Sequence, residues 1–140
     1  MTPEGLAAIH RAAFGAEKGW SAATLAAHAD HPGAVLELAP PEDPAAFALL
    51  RVTLDEAEVL TLATDPSRRR EGLARAALTR ALDRARARGA ARVLLEVAEN
   101  NAPARALYDR LGFRTVATRK DYYRTPDGSR TTALVMARDL

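Results

Sequence analysis

The chain has 140 residues and a mass of 15.0 kDa, the usual size of one domain, so a single domain over residues 1–140 is expected. Apolar residues make up 48% of it and charged residues 27%, which allows a core and excludes a disordered chain. The absence of cysteine excludes disulfides, thiolate catalysis and cysteine-ligated metals. Without a candidate membrane span or secretory signal, the sequence predicts a soluble cytoplasmic protein with no membrane partner.

The charge is distributed unevenly along the chain. Residues 1–65 carry three basic and ten acidic side chains, a net charge of −7. Residues 66–140 carry seventeen basic and eight acidic ones, a net charge of +9. A basic half is typical of a protein with a phosphate-bearing partner. Compositional drift is the alternative, because the basic residues are nearly all arginine.

Two helices are predicted at the start of the chain. Thr2 is a typical N-cap before Pro3, and the apolar spacing that follows predicts a helix that ends near Gly15. Ser21 is expected to cap a second, short helix, which the sequence His31-Pro32-Gly33 ends.

Three strands are predicted next, joined by connections of hairpin length. They cover Ala34–Ala39, Ala45–Thr53 and Ala57–Thr64. The second half of the chain alternates helices and strands, and the whole order predicts a mixed α/β sheet with helices on both faces. Its expected elements are a helix over Gly72–Arg88, a strand over Arg92–Val97, a helix over Asn101–Leu111, a strand over Phe113–Ala117, a turn-rich loop over Asp121–Arg130 and a strand over Thr132–Ala137.

A candidate phosphate site lies between the third strand and the long helix. Pro66 delays the helix, three arginines follow over 68–70, and Gly72 allows close approach to the backbone. The first N–H groups of a helix lack intrahelical acceptors and lie at the positive end of its dipole, which favours an anion such as a diphosphate. An ordinary turn with solvated arginines is the alternative. Neither a Walker loop nor a Rossmann glycine fingerprint is present.

A second candidate site follows the strand that contains Glu96. A carboxylate in an otherwise apolar strand is costly unless it is paired or used, so Glu96 is a candidate general base. Asn101 can cap the next helix, and the Tyr108 hydroxyl can reach the strand end. A surface-facing Glu96, a purely structural Asn101 and a core Tyr108 are the alternatives.

The three histidines suggest no metal site, because His10, His28 and His31 lack metal-ligand spacing. They are interpreted as surface or core residues. No serine lies in the context of a nucleophile elbow, so a Ser-His-Asp site is not expected either.

At these two sites the sequence resembles a known family. The segment RREGLA at 69–74 is similar to the Gln/Arg-x-x-Gly-x-Gly/Ala pyrophosphate loop of the GCN5-related N-acetyltransferases (GNAT). With the strand before it and NAPARALYDRLGF at 101–113 after it, the resemblance covers about residues 45–140. Within this superfamily the chain looks most like the RimI-type enzymes, which acetylate the N-terminal alanine of a small-subunit ribosomal protein. The supporting segments are Leu95-Glu96-Val97, Tyr108, Arg119-Lys120-Asp121-Tyr122-Tyr123, Ala12-Ala13-Phe14 and Trp20-Ser21.

The resemblance implies a fold and an activity. The fold is a mixed, mostly antiparallel central sheet with helices on both faces, from which the family's usual first strand is missing here. The activity is direct acetyl transfer from acetyl-CoA, with Glu96 as general base, Tyr108 as general acid and no metal. The cofactor contacts that it implies are Leu62, Ala63, Thr64, Arg69, Arg70, Glu71, Gly72, Leu73, Ala74, Arg75 and Asn101. Candidate walls of the acceptor site are Trp20, Tyr122 and Tyr123.

The acceptor implied by the resemblance is the N-terminal amine of a protein, specifically a ribosomal protein. A small-molecule amine or a lysine side chain is an alternative acceptor, and a catalytically silent acetyl-CoA-binding module is an alternative function. Direct nucleic-acid binding is not expected, because the basic half has too few aromatic residues for base stacking. A monomer or weak dimer is expected.

Overall fold

A six-stranded sheet organises the computed structural model, which describes residues 1–125 and 127–140. Its strand order is β1-β2-β3-β4-β6-β5, and every neighbouring pair is antiparallel except β3 and β4. No helix in the described part of the chain is long and apolar enough to span a bilayer. The elements are α1 (Pro3–Phe14), α2 (Ala22–Ala29), β1 (Ala34–Ala39), β2 (Ala46–Thr53), β3 (Glu56–Thr64), a 3-10 turn (Pro66–Arg68), α3 (Leu73–Ala87), β4 (Arg92–Ala98), α4 (Ala102–Arg110), β5 (Arg114–Arg124) and β6 (Arg130–Asp139).

Helices cover both faces of this sheet, as the sequence predicted. On one face Leu6 of α1 and Leu25 of α2 pack against Phe47 of β2. On the other face α3 and α4 build the larger cluster, in which Leu78 lies with Val93 of β4. Burial of these side chains is the main force that holds the two helix layers on the sheet.

Side-chain caps fix the starts of three helices. Oγ1 of Thr2 accepts from the Gly5 N–H at 3.1 Å, and Oγ of Ser21 accepts from the Thr24 N–H at 3.1 Å. Oδ1 of Asn101 accepts from the N–H of the third residue of α4 at 3.3 Å. Each cap satisfies one of the free N–H groups of its helix, so the predicted helix starts are confirmed.

The prediction for the fifth strand was too short. The structure continues β5 through Arg124, into the first four residues of the stretch predicted as a loop over Asp121–Arg130. Its pairing with β6 shifts register between Arg119 and Tyr123, and Asp121 has a positive φ of 54° there. A bulge therefore carries the strand past a residue that locally favours a turn. Of the predicted turn Pro126-Asp127-Gly128, the proline lies outside the described residues.

A second bulge changes the face of β3. Leu49 of β2 pairs with Thr61, but its neighbour Leu50 pairs with Val59, so Leu60 is an extra residue in β3. Because side chains alternate along a strand, one extra residue moves every following side chain to the other face. Thr61 and Ala63 consequently face α1.

Candidate active site

A cleft opens where β3 and β4 separate. The two strands pair only over Glu56–Glu58 and Arg92–Leu94, and beyond these residues their facing edges are not paired with one another. The cleft has a volume of about 1370 Å³, which exceeds the usual volume of a site for a small molecule. Side chains of α1, β3, β4 and α4 and the start of α3 line it. Unpaired strand edges offer N–H and C=O groups to a ligand lying between them.

One end of the cleft is the N-terminus of α3. Gly72 precedes the helix with a φ of 72°, and no atom beyond its chain neighbours lies within 4 Å of the position where a side chain would begin. Arg70 also adopts a left-handed conformation, with a φ of 68°, which is strained for a residue with a side chain. Arg69, Arg70 and Arg75 line the cleft beside the free N–H groups of the first turn. This end of the cleft suits a multiply charged anion.

Carboxylates offset one of the three predicted loop arginines. Arg68 contacts Glu71 at 3.1 Å and Asp43 at 3.2 Å, so its charge is neutralised by carboxylates. Glu71 is held by its ion pair with Arg68 and does not line the cleft. Glu71, the acidic residue within the predicted phosphate loop, therefore does not offset the positive charges of Arg69 and Arg70 that line the cleft.

Two side chains of β5 contact Glu96, which lines the cleft. The Tyr123 hydroxyl donates to Oε1 of Glu96 at 2.9 Å, and a guanidinium nitrogen of Arg119 lies 3.9 Å from Oε2. The Glu96 side chain is 33% exposed, which leaves it accessible from the cleft. Partial burial, with the Glu96 hydrogen bond, raises the pKa of the Tyr123 phenol well above its usual value. Tyr123 therefore stays a proton donor to this carboxylate at neutral pH.

Tyr108 is both a core residue and a cleft residue. Its ring lies against Phe113, with ring centres 5.6 Å apart, and the residue is 8% exposed. Burial raises the pKa of its phenol to about 12, so the group is protonated at neutral pH. Tyr108 is therefore a core residue that also lines the cleft, and its role as general acid stays a prediction.

The sequence prediction missed two residues on the α1 side of the cleft, His10 and Thr61. His10 is 2% exposed on α1 and lies 2.9 Å from the Thr61 hydroxyl, and both residues line the cleft. The sequence interpretation of His10 as a surface or core residue allowed for this burial, but it did not foresee the contact with the cleft. The signal was present, because His10 follows Leu6 by one helical turn on the inward face of α1.

Most of the predicted site residues meet in this one cleft. Within the part of the chain that the structure describes, no group of three or more His, Asp or Glu side chains is arranged to hold a metal ion. Ala63 faces α1 because of the bulge, Glu71 pairs with Arg68, and Tyr122 is 52% exposed beside Tyr123, so these three do not line the cleft. The predicted residues that do line it are Trp20, Leu62, Thr64, Arg69, Arg70, Gly72, Leu73, Ala74, Arg75, Glu96, Asn101, Tyr108 and Tyr123.

Comparison with known proteins identifies the family. The sequence profile of the Acetyltransferase (GNAT) family matches residues 4–113. The chain belongs to this family. A protein of Haemophilus ducreyi named [ribosomal protein bS18]-alanine N-acetyltransferase is 44% identical over 92 residues, which are 66% of this chain and 63% of that protein. The protein of the same name from Escherichia coli is 42% identical over 118 residues, which are 84% of this chain and 79% of that protein.

A solved structure agrees with the family assignment. The crystal structure of the ribosomal-protein-S18-alanine N-acetyltransferase from Escherichia coli superposes with a TM-score of 0.84 at 38% identity, covering 95% of this chain and 84% of that one. The predicted GNAT fold is therefore confirmed, with its mixed sheet and helices on both faces.

The cleft has the features that acetyl-CoA, the acetyl donor implied by this family, requires. Its diphosphate needs cations and free backbone donors, which occur together at Gly72, Arg69 and Arg70. Its amide-containing arm needs hydrogen-bonding groups along a narrow path, which the separated edges of β3 and β4 offer. The residues present therefore fit the group.

Proposed function

We propose that this protein transfers the acetyl group of acetyl-CoA to the α-amine of an N-terminal alanine, in a ribosomal protein. The observation that carries the proposal is the 42% identity with the Escherichia coli alanine N-acetyltransferase over 84% of this chain. The structure of the cleft supports the proposal, because a helix start suited to an anion and an accessible carboxylate line the same cleft. A ribosomal-protein acceptor implies action in the cytoplasm.

The donor end of the cleft holds acetyl-CoA. The first-turn N–H groups of α3 and the side chains of Arg69, Arg70 and Arg75 bind the diphosphate. Leu62 and Thr64 line the path of the pantetheine arm, and Asn101 lies where β4 ends. Acetyl-CoA supplies the acetyl group as an activated thioester.

Glu96 accepts the proton of the acceptor amine. An N-terminal amine has an ordinary pKa near 8, so at neutral pH most of it is protonated and cannot attack a carbonyl carbon. The Glu96 carboxylate, reached directly or through water, removes this proton. Hydrogen bonding from Tyr123 and the charge of Arg119 hold the carboxylate in place for that step.

Tyr108 donates a proton on the other side of the reaction. Its phenol is protonated at neutral pH and lines the cleft with Glu96, so it can donate to the sulfur of the leaving thiolate. The cleft also brings donor and acceptor together, which removes much of the entropic cost of a two-substrate reaction. Direct transfer needs no covalent intermediate on the protein.

The test is acetyl transfer to two short peptides, followed by mass spectrometry. One peptide begins with a free alanine followed by basic residues, and the other has a blocked N-terminus and an internal lysine. We expect acetylation of the first peptide alone. Acetylation of the blocked peptide would indicate a lysine acceptor instead. If the protein binds acetyl-CoA and modifies neither peptide, a small amine is the acceptor or the protein is a silent binding module.

A further inference from the structure

His10 is a buried polar residue to which the proposed reaction assigns no role. It lies on the inward face of α1, with its ring centre 4.5 Å from that of Phe14 and 6.1 Å from that of Phe47. A buried imidazole is costly unless both of its nitrogens have partners. Both partners are present, and both belong to residues that line the cleft.

The hydrogen bonds fix the tautomer of His10. The backbone N–H of Trp20 can only donate, and it lies 2.9 Å from Nδ1, so Nδ1 is the unprotonated nitrogen. The proton is therefore on Nε2, which donates to Oγ1 of Thr61 at 2.9 Å. Burial lowers the pKa of His10 to about 4, so the ring is neutral over the physiological range.

This neutral ring joins two walls of the cleft. Trp20 lies in the connection between α1 and α2, and its indole stacks between the rings of His10 and His28, with centres 5.1 Å apart on each side. Thr61 is the first residue after the bulge in β3. His10 is therefore the link that holds the α1–α2 connection against the strand that borders the cleft.

We propose that His10 is a positioning residue, which holds Trp20 and Thr61 as the wall of the acceptor site. The proposal rests on the proposed function, because it takes the α1 side of the cleft, on the sheet face opposite α3, as the place where the acceptor peptide binds. His10 lies on this side, and its hydrogen-bond partners are Trp20 and Thr61 rather than residues at the start of α3. Loss of the His10 side chain should therefore weaken the use of the acceptor peptide and leave acetyl-CoA binding intact.

The test is a set of His10 variants, measured by kinetics and by fluorescence. H10F keeps an aromatic ring and removes both hydrogen bonds, whereas H10N keeps an acceptor near the Trp20 N–H. For H10F we expect the KM of the alanine peptide to rise about tenfold, while kcat and the Kd of acetyl-CoA stay within about twofold. Trp20 is the only tryptophan, so its emission should shift in H10F and return most of the way in H10N, together with KM.

The control is His31→Phe, which removes an exposed histidine outside the cleft and should change neither KM nor the emission. An H10F protein with unchanged KM and emission would overturn the proposal. An equal loss of acetyl-CoA affinity would also overturn it, since that result indicates a general packing role. If H10F does not fold, H10N is compared with H10Q, which keeps only the donor to Thr61.

The two proposals fail in different ways. If the wild-type protein binds acetyl-CoA but modifies no peptide, the proposed function is wrong. The emission of Trp20, measured without any acceptor, then decides the role of His10. A shift in H10F that H10N reverses supports the positioning role, and its absence rejects it.

Discussion

Glu96 interrupts an apolar strand, and the residues that contact it come from a distant part of the chain. Its position could be predicted from the sequence, because a lone carboxylate among Leu95 and Val97 needs a partner or a purpose. Its partners Tyr123 and Arg119 could not be assigned, because the predicted strand ends at Ala117, before both of them, and Tyr123 also lies beyond the bulge at Asp121. Local propensity favours a turn there, and pairing with β6 overrides it.

Replacement of this carboxylate tests its role as the base. Glu96→Gln keeps the shape of the side chain and a hydrogen-bond acceptor for Tyr123, but removes most of its basicity. We expect kcat for the alanine peptide to fall by about 10²- to 10⁴-fold, with the Kd of acetyl-CoA nearly unchanged in calorimetry. Turnover of Glu96→Gln at the wild-type rate would show that another group accepts the proton.

His10 also has a consequence for stability. Its pKa is about 4 in the folded protein against 6.5 for an ordinary histidine, so between these values the unfolded chain binds a proton that the folded protein excludes. Stability is therefore lost as the pH falls from about 6.5 to about 4, by about 3 kcal/mol in total. Urea unfolding at a series of pH values should show this slope in the wild-type protein and a flatter one in H10F. Identical slopes in the two proteins would contradict a lowered pKa of His10 in the folded protein.

At the scale of elements, helix α3 has one end in the cleft and one away from it. Gly72 and Gly89 flank it with positive φ angles of 72° and 99°, and no atom beyond the chain neighbours lies within 4 Å of where either side chain would begin. An alanine at either position meets no neighbour and costs about 1 kcal/mol of backbone strain. The two alanine substitutions should therefore cost similar amounts of stability, and the two glycines differ in that only Gly72 lies at the cleft.

This pair gives a matched test of the anion site. Gly72→Ala and Gly89→Ala should lower the free energy of unfolding by similar amounts, measured in urea. Only Gly72→Ala should weaken acetyl-CoA binding in calorimetry, because its methyl group occupies the approach to the first-turn N–H groups. Equal acetyl-CoA affinities of the two variants would show that the start of α3 does not bind the diphosphate.

The sequence predicts those elements that depend on local signals. Caps and apolar spacing located α1, α2 and α3 to within one or two residues, and the glycine before α3 indicated the anion site. The bulge at Leu60 could not be predicted, since nothing in the composition of β3 favours it over a regular strand. The side chain of Ala63 therefore faces α1, while its predicted contact with the cofactor along the strand edge stays a prediction. Strand register is a property of the paired sheet rather than of one strand.

At the scale of the molecule, the acidic first half of the sequence and its basic second half form ion pairs along β1. Arg84 of α3 lies 3.3 Å from Glu37 of β1, and Arg80 lies 3.6 Å from the same carboxylate. The guanidinium groups also donate to backbone carbonyls of β1: Arg80 to Leu38, Arg84 to Leu36 and Arg88 to Ala34. Arginines spaced by one helical turn thus match carbonyls at alternate residues of a strand. Part of the basic charge therefore has a structural role that the composition could not distinguish from phosphate binding.

This row of arginines covers a strand at the edge of the sheet. β1 is the first strand in the sheet order and pairs only with β2 among the described residues, so its outer carbonyls would otherwise be free to pair with another chain. Arg80, Arg84 and Arg88 use those carbonyls as acceptors, and their charge opposes the approach of a second copy. The row accordingly favours a monomer.

Removal of the row should promote self-association. We expect the triple variant R80A/R84A/R88A to form dimers or larger species in sedimentation velocity as its concentration rises, because the outer edge of β1 is then uncovered. The control R86A/R114A/R130A removes the same charge from exposed arginines for which no ion pair or side-chain hydrogen bond is found among the described residues, so lower net charge alone is tested separately. If both variants sediment as the wild-type protein does, the arginine row does not protect the edge. If both associate equally, net charge and not the covering of β1 keeps the copies apart.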